Sequence, residues 1–343
     1  MRSNPLRPRF RFPLAAALIG ALAVAGSGCS KKVTQPLLGD ASTSPVTAAS
    51  AQRVAEFGRV MQVQNAHTRE LMAIPDVVGT GTGIDPDGHA EVLALTRRPS
   101  VVGLPLFLDG VRVEARFVGE VKAFRKPGGG GTLECGTSTG NDLECAAGTI
   151  GCVVIRGGNR YFLSNNHVFA RENAASIGER IDAPGRYDGH PRCAQTPICG
   201  TLADFQAISF SGNNTIDCAI ASPDPNRVFT SAEAGGYTPT STVAAAFVGQ
   251  AVKKTGRTSG LTTGTVQAIN VTIQVQYSSG IATFVNQIMT PASFIRAGDS
   301  GSLMVEQSTN NPVGLCFAGG SGGSFANPIG PVLQKFSATV SSQ

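Results

Sequence analysis

At 343 residues, 41% hydrophobic and 15% charged, the chain can bury a sizeable core and is too apolar to be disordered. Its 42 glycines, 20 prolines and few charges favour a turn-rich β protein over a helical bundle. The formal charge of +5 misleads: Arg2, Arg7, Arg9 and Arg11 lie in a first stretch of 28 residues without acids, leaving 24 basic against 23 acidic residues beyond it. A near-neutral remainder gives no electrostatic case for nucleic acid.

Residues 1–28 read as an export signal: four arginines precede an apolar run from Leu14 to Ala25 that is too short to span a bilayer. Ala23-Val24-Ala25 fits one cleavage site. Gly26-Ser27-Gly28-Cys29 is similar to a bacterial lipobox, with Gly26 where Leu is usual, and would make Cys29 the lipid-bearing residue of a cell-envelope lipoprotein. The alternative is a periplasmic or secreted protein. Residues 29–50, rich in Ser, Thr, Ala and Pro, read as a flexible tether.

From Ser50, a predicted N-cap, residues 51–73 carry Val54, Phe57, Val60, Met61, Leu71 and Met72 at helical spacing. Val77–Ile84, the turn Asp85-Pro86-Asp87-Gly88 and Ala90–Thr96 predict a hairpin, and a strand pair follows over roughly 105–124. Residues 51–125 thus form a small α/β module, expected to act as a propeptide-like folding aid, an exosite or a spacer. Gly79, Gly81 and Gly83 do not match the dinucleotide pattern and precede a turn rather than a helix; an edge or a tight packing contact is expected of them. Residues 126–131, Lys126-Pro127 and four glycines, mark a linker. Over 132–343, short, evenly spaced apolar runs such as Cys152–Ile155, Tyr161–Ser164 and Val271–Val275 suggest β-barrels or a sandwich. Only Ile329–Phe336 predicts a helix there.

Eight cysteines in an exported chain suggest disulfides. Cys135–Cys145 and Cys193–Cys199 are the pairings nearest in sequence, with Cys152–Cys218 a third; the odd count without Cys29 leaves one unpaired. A metal site at His190, Cys193 and Cys199 is disfavoured because no fourth ligand is evident. No metal and no organic cofactor are expected.

Three motifs carry chemistry. A strand ends in Ser164-Asn165-Asn166-His167. Asp217 enters the apolar run Cys218-Ala219-Ile220. Gly298-Asp299-Ser300-Gly301 follows much later. Each alone is weak, since a His after a strand or an Asp at a strand start is more often structural. Together, in the order His, Asp, Ser, they supply a hydroxyl nucleophile, a base of near-neutral pKa and a carboxylate to orient it. The backbone N–H groups of Gly298 and Ser300 are the expected oxyanion donors.

On these residues and their order, residues 132–343 resemble trypsin-like serine proteases of the chymotrypsin clan, most closely the bacterial streptogrisin-like type. The α/β-hydrolase order is the reverse. The resemblance implies a mainly β fold of two six-stranded antiparallel β-barrels, preceded here by the α/β module, with His167 and Asp217 in the first barrel and Ser300 in the second. Val313-Gly314-Leu315 and Gly319-Gly320-Ser321-Gly322 look like the strand and glycines lining the substrate pocket, with Phe294 and Ala318 contributing. Lys254-Thr255-Gly256-Arg257 resembles a stretch that begins with a basic residue. A buried carboxylate at Asp299 requires a partner, so Lys254 or Arg257 is expected to pair with it, without zymogen cleavage. The chain departs from the pattern at Val168, where trypsin has Cys, at Ser302, where Gly is usual, and at Ala318, where Ser is usual.

The expected function is an exported serine endopeptidase acting on polypeptides through an acyl-enzyme, as a monomer. The other reading is a catalytically silent protease-fold binding or scaffold protein. His67, His89 and His190 are expected at the surface.

Overall fold

A computed structural model describes residues 45–121 and 132–343, with side chains described from residue 51 onward. The proposed signal, Cys29, most of the tether and the linker at 126–131 lie outside the described residues.

Helix α1 (Pro45–Met72) starts five residues before the predicted cap; proline's fixed φ suits a first helical turn. It precedes β1 (Val77–Ile84), β2 (Ala90–Thr96), β3 (Phe107–Leu108) and β4 (Val111–Phe117). The predicted hairpin of β1 and β2 is present. Its turn closes as Asp85 Oδ1 accepts the Asp87 and His89 N–H groups. β4 runs parallel to β2.

The second region begins with β5 (Leu133–Cys135), β6 (Ser138–Asn141), β7 (Gly148–Thr149), β8 (Cys152–Arg156) and β9 (Asn159–Ser164), then the single-turn helix α2 (Asn166–Phe169). Next come β10 (Arg180–Asp182), β11 (Ile198–Phe205), β12 (Asn213–Asn214), β13 (Ala219–Pro223) and β14 (Phe229–Glu233). The last part holds β15 (Ala251–Gly256), β16 (Gly260–Thr265), β17 (Ala268–Tyr277), β18 (Gly280–Thr290), β19 (Leu303–Glu306), β20 (Pro312–Gly320) and β21 (Gly323–Pro328). Helix α3 (Ile329–Phe336) and β22 (Ala338–Val340) end it; α3 has the predicted bounds.

The mainly β class is the class observed. One sheet of eight strands runs β22-β8-β9-β13-β11-β10-β6-β7, and one of twelve runs β16-β15-β19-β20-β21-β18-β17-β1-β2-β4-β3, with β12 on β18. These counts exceed six per barrel. The C-terminal β22 adds to β8 in the first sheet, and the module's four strands extend the second. The α/β module is therefore not free-standing: β1 hydrogen-bonds β17 across Gly79↔Ile273 and Thr80↔Thr272. A Cβ on Gly79 would sit 2.8 Å from the Ile273 side chain, so the glycines serve close packing in mid-sheet, not an edge. Val78, Leu93, Leu95, Val118 and Val121 share one core with Val271, Ile273, Phe284, Phe317 and Ala318.

The predicted disulfides are not those formed. Cys145 joins Cys193, with Cα atoms 5.1 Å apart, within the normal range. Cys135, Cys152, Cys199, Cys218 and Cys316 are free and buried. Short sequence separation misled because Cys135 and Cys199 point into the core, whereas Cys145 and Cys193 lie on loops. Cys152 lies in β8 and Cys218 directly before β13, the two strands that flank β9. Two strand spacings, about 10 Å, exceed a disulfide's reach. Burial pushes the Cys199 thiol up to about 12, which makes it a poor nucleophile.

Candidate active site

His167 sits in α2, where the polar run after β9 turns the chain. Asn165, just before the helix, ties this turn to the acid's backbone by donating from Nδ2 to the Asp217 carbonyl at 2.8 Å. Asp217 lies two residues before the start of β13, which pairs with β9 through Ala219↔Ser164. This register sets the carboxylate beside the imidazole. His167 Nδ1 and Asp217 Oδ2 are 2.5 Å apart, and the His167 backbone N–H donates to Oδ1 at 3.3 Å. Both side chains are essentially inaccessible, at 1% and 0% exposure. His167 Nε2 has no hydrogen-bond partner among the described residues.

The second sheet contributes Ser300 on the loop before β19. Thr149 joins the two regions: its N–H donates to the Ser300 carbonyl at 2.8 Å, and its Oγ1 donates to the Gly298 carbonyl at 2.8 Å. Ser164 Oγ donates to the Thr149 carbonyl. A Cβ on Gly148 would lie 2.5 Å from Val168, the neighbour of His167, and 2.9 Å from the Ser300 carbonyl. The three motifs thus converge where the two sheets meet. Ser300 Oγ donates to the Phe317 carbonyl at 3.2 Å. Gly301 has φ +96°, and a Cβ there would strike Ser164 Oγ and the Thr149 carbonyl; only glycine suits this position. Gly298, with φ +101°, takes a conformation equally foreign to other residues.

Asp299 is fully buried. Lys254 Nζ lies 3.2 Å from its Oδ2, both at 0% exposure. Thr258 and Ser259 N–H groups donate to Oδ1; the Arg296 N–H and Ser259 Oγ donate to Oδ2. Burial pushes the Lys254 ammonium below its usual range although Asp299 pulls it the other way. Arg257 instead pairs with Asp188 at 2.8 Å, and burial lowers its guanidinium to about 10. Ser302, at the departure from Gly, donates its hydroxyl back to the Asp299 carbonyl.

The residues expected around the substrate divide. Phe294 is 1% exposed and packs with Val252, Val266 and Met304, so its ring belongs to the core rather than to a pocket floor. Ala318, Gly319 and Gly320 end β20 as expected. However, residues Phe117–Val121 run along this strand end: Gly322 N–H and Ser321 Oγ both donate to the Val118 carbonyl. A Cβ on Gly320 would lie 2.7 Å from that carbonyl and 2.9 Å from that of Glu120.

Sequence reasoning missed the groups that hold the acid. Asn327 Oδ1 accepts the Asp217 N–H at 3.0 Å, and Gln287 holds Asn327 in turn. Tyr277 Oη donates to Asp217 Oδ2 at 2.9 Å. No local pattern marks these residues; only the sheet brings them near. His67 bridges Glu70 and Asp109 and, like His89 and His190, lies outside the site.

No family model matches the chain. Streptogrisin-A of Streptomyces griseus is 36% identical over 111 residues, covering 31% of this chain and 35% of that protein. Serine protease 1 of Streptomyces fradiae is 54% identical over 46 residues, 13% of this chain and 12% of that protein. The chain thus spans about a third of the former's length and an eighth of the latter's. Among solved structures, a glutamic-acid-specific serine protease is 24% identical with a TM-score of 0.45, covering 61% of this chain and 100% of that one. Thermobifida fusca protease A is 22% identical with a TM-score of 0.44, covering 62% and 99%. Over the matched stretches the chain is similar to streptogrisin-type, trypsin-like serine proteases.

Proposed function

We propose that the chain is an exported serine endopeptidase. The reading rests on the buried pair of His167 Nδ1 and Asp217 Oδ2, which leaves Nε2 without a partner at the junction that holds Ser300. A carboxylate on Nδ1 fixes the tautomer that bears its lone pair on Nε2. Ser300 Oγ turns from the Phe317 carbonyl and attacks the scissile carbonyl carbon while Nε2 takes its proton. The Gly298 and Ser300 N–H groups stabilise the oxyanion. The imidazolium, held by Asp217, then protonates the leaving amine, and water hydrolyses the acyl-enzyme by the same route. Lys254 neutralises Asp299 in the folded chain, so forming the Ser300 loop does not depend on a freed N-terminus. The substrate is a polypeptide; a lipid at Cys29 would hold the monomer at the envelope.

A fluorophosphonate probe tests the reading because it reacts only with an activated serine. One equivalent should be incorporated, and Ser300→Ala should take up none. An unlabelled, folded wild-type chain would instead favour the scaffold reading.

A further inference from the structure

Tyr277 closes β17, and only 3% of it is exposed. Its Oη donates to the same Asp217 oxygen that faces His167 Nδ1. Its ring stands edge-on to the imidazole, with centroids 5.7 Å apart and planes at 67°. Phe210 and Phe284 enclose the phenol from other sides, each 6.1 Å away.

The strand end that carries Tyr277 is clasped to the helix that carries His167. Three consecutive residues after that helix, Arg171, Glu172 and Asn173, have φ of 51°, 56° and 78°, the left-handed region that residues other than glycine seldom adopt. Asn173 holds the turn by hydrogen bonds to Asn166 and Ile208. Glu172 is thereby presented to the hairpin, where Oε1 accepts the Ser278 N–H at 3.1 Å and Oε2 the Ser279 N–H at 2.8 Å. These residues directly follow Tyr277. Burial would raise the Glu172 carboxyl, but the hydrogen bonds from Ser279 and Ser278 outweigh it and hold the group below its usual value.

We infer that Tyr277 is a positioning residue for the proposed triad: its hydroxyl fixes the Asp217 carboxylate and thereby sets the orientation and basicity of His167. The inference rests on the proposed function for its catalytic meaning, and on geometry alone for its structural one. Burial, then the Asp217 charge, push the Tyr277 phenol well above its usual range, so it stays a donor throughout the working pH range. A carboxylate oxygen shared by two donors is a weaker acceptor for each. Removing the phenol leaves Asp217 a stronger partner for the imidazolium. The titratable groups facing this pair are Glu172 from the turn, Tyr277 from β17 and Cys218 beside β13. Arg171 is engaged by Glu179.

The test is the Tyr277→Phe substitution in the full chain, read two ways. The imidazole of His167, assigned by its loss in His167→Gln, is titrated by NMR. Its midpoint should rise by about 0.5 to 1 pH unit. The pH profile of fluorophosphonate labelling should move its acid limb upward by the same amount, and its plateau rate should fall roughly three- to tenfold. Global incorporation of 3-fluorotyrosine keeps the fold and strengthens the donor. Only Tyr277 of the four tyrosines bonds to Asp217, and the His167 midpoint should then fall. That arm decides the matter if the Phe variant does not fold. An unmoved His167 midpoint in either protein overturns the inference. A shifted midpoint in a chain that never labels would sustain the Tyr277 contact and reject the protease reading.

Discussion

Replacing Lys254 by Met removes the only cation bonded to Asp299 among the described residues while roughly keeping its volume. At 3.2 Å, with both side chains at 0% exposure, an effective dielectric constant of about 20 gives an attraction of about 5 kcal/mol. Two effects reduce the loss. The bulk of that attraction already offsets the cost of burying the ammonium, a cost the variant no longer bears. Asp299 also retains four other donors, from Thr258, Ser259 and Arg296. The expected loss is therefore about 3 kcal/mol at pH 7. Urea unfolding followed by far-UV circular dichroism measures it, since the chain has no Trp and urea does not screen charge. Labelling of Ser300 should slow as well. The double variant Lys254→Met/Asp299→Asn should recover to within about 1 kcal/mol of wild type, because the uncompensated charge is gone. A single variant that loses under about 1 kcal/mol, or a double variant no better than the single, would refute the reasoning.

Two further outcomes are expected. Because residues 117–121 lie along Gly320–Gly322, nicking the folded chain within 126–131 and releasing the N-terminal part should speed peptide hydrolysis far more than fluorophosphonate labelling; an unchanged ratio of the two rates would mean that this segment does not obstruct peptides. Glu233 is 1% exposed, and both its carboxylate oxygens lack partners among the described residues. Burial raises it well above its usual value despite the opposing charge of Lys254. The folded state then holds this proton more tightly than the unfolded one, so its contribution to stability is full below about pH 4 and declines as pH rises above it. Glu233→Met should consequently raise the urea midpoint at pH 8 more than at pH 4, and equal changes at both would contradict the assignment.

The candidate catalytic motifs were legible because each is local. His167 follows a strand end, Asp217 opens an apolar run, and Ser300 lies between glycines that permit its loop. The chain order of the three fixed their relation to a family. Lys254 was legible for an electrostatic reason, since a buried Asp299 needs a counter-charge. What stayed hidden depends on register between distant segments. Tyr277 and Asp217 are 60 residues apart, and they meet only because β17 ends beside the Glu172 turn. Cys145 and Cys193 likewise share no local signal. The parallel alignment of β2 with β4, and the antiparallel pairing of β1 with β17, follow from packing of alternate faces that single-strand patterns leave undetermined.

The pairing of β1 with β17 has a cost for any form of the molecule that loses its first hundred residues. β17 would then show an unpartnered row of N–H and C=O groups along Ile269–Ile273, beside Val271 and Ile273, which are fully buried in the intact chain. Such a rim is adhesive. The shortened protein would have to cap it with another extended segment, from a neighbour of its own kind or from an incoming polypeptide. The strand it inherited therefore doubles as a guard against self-stacking for as long as it stays in place.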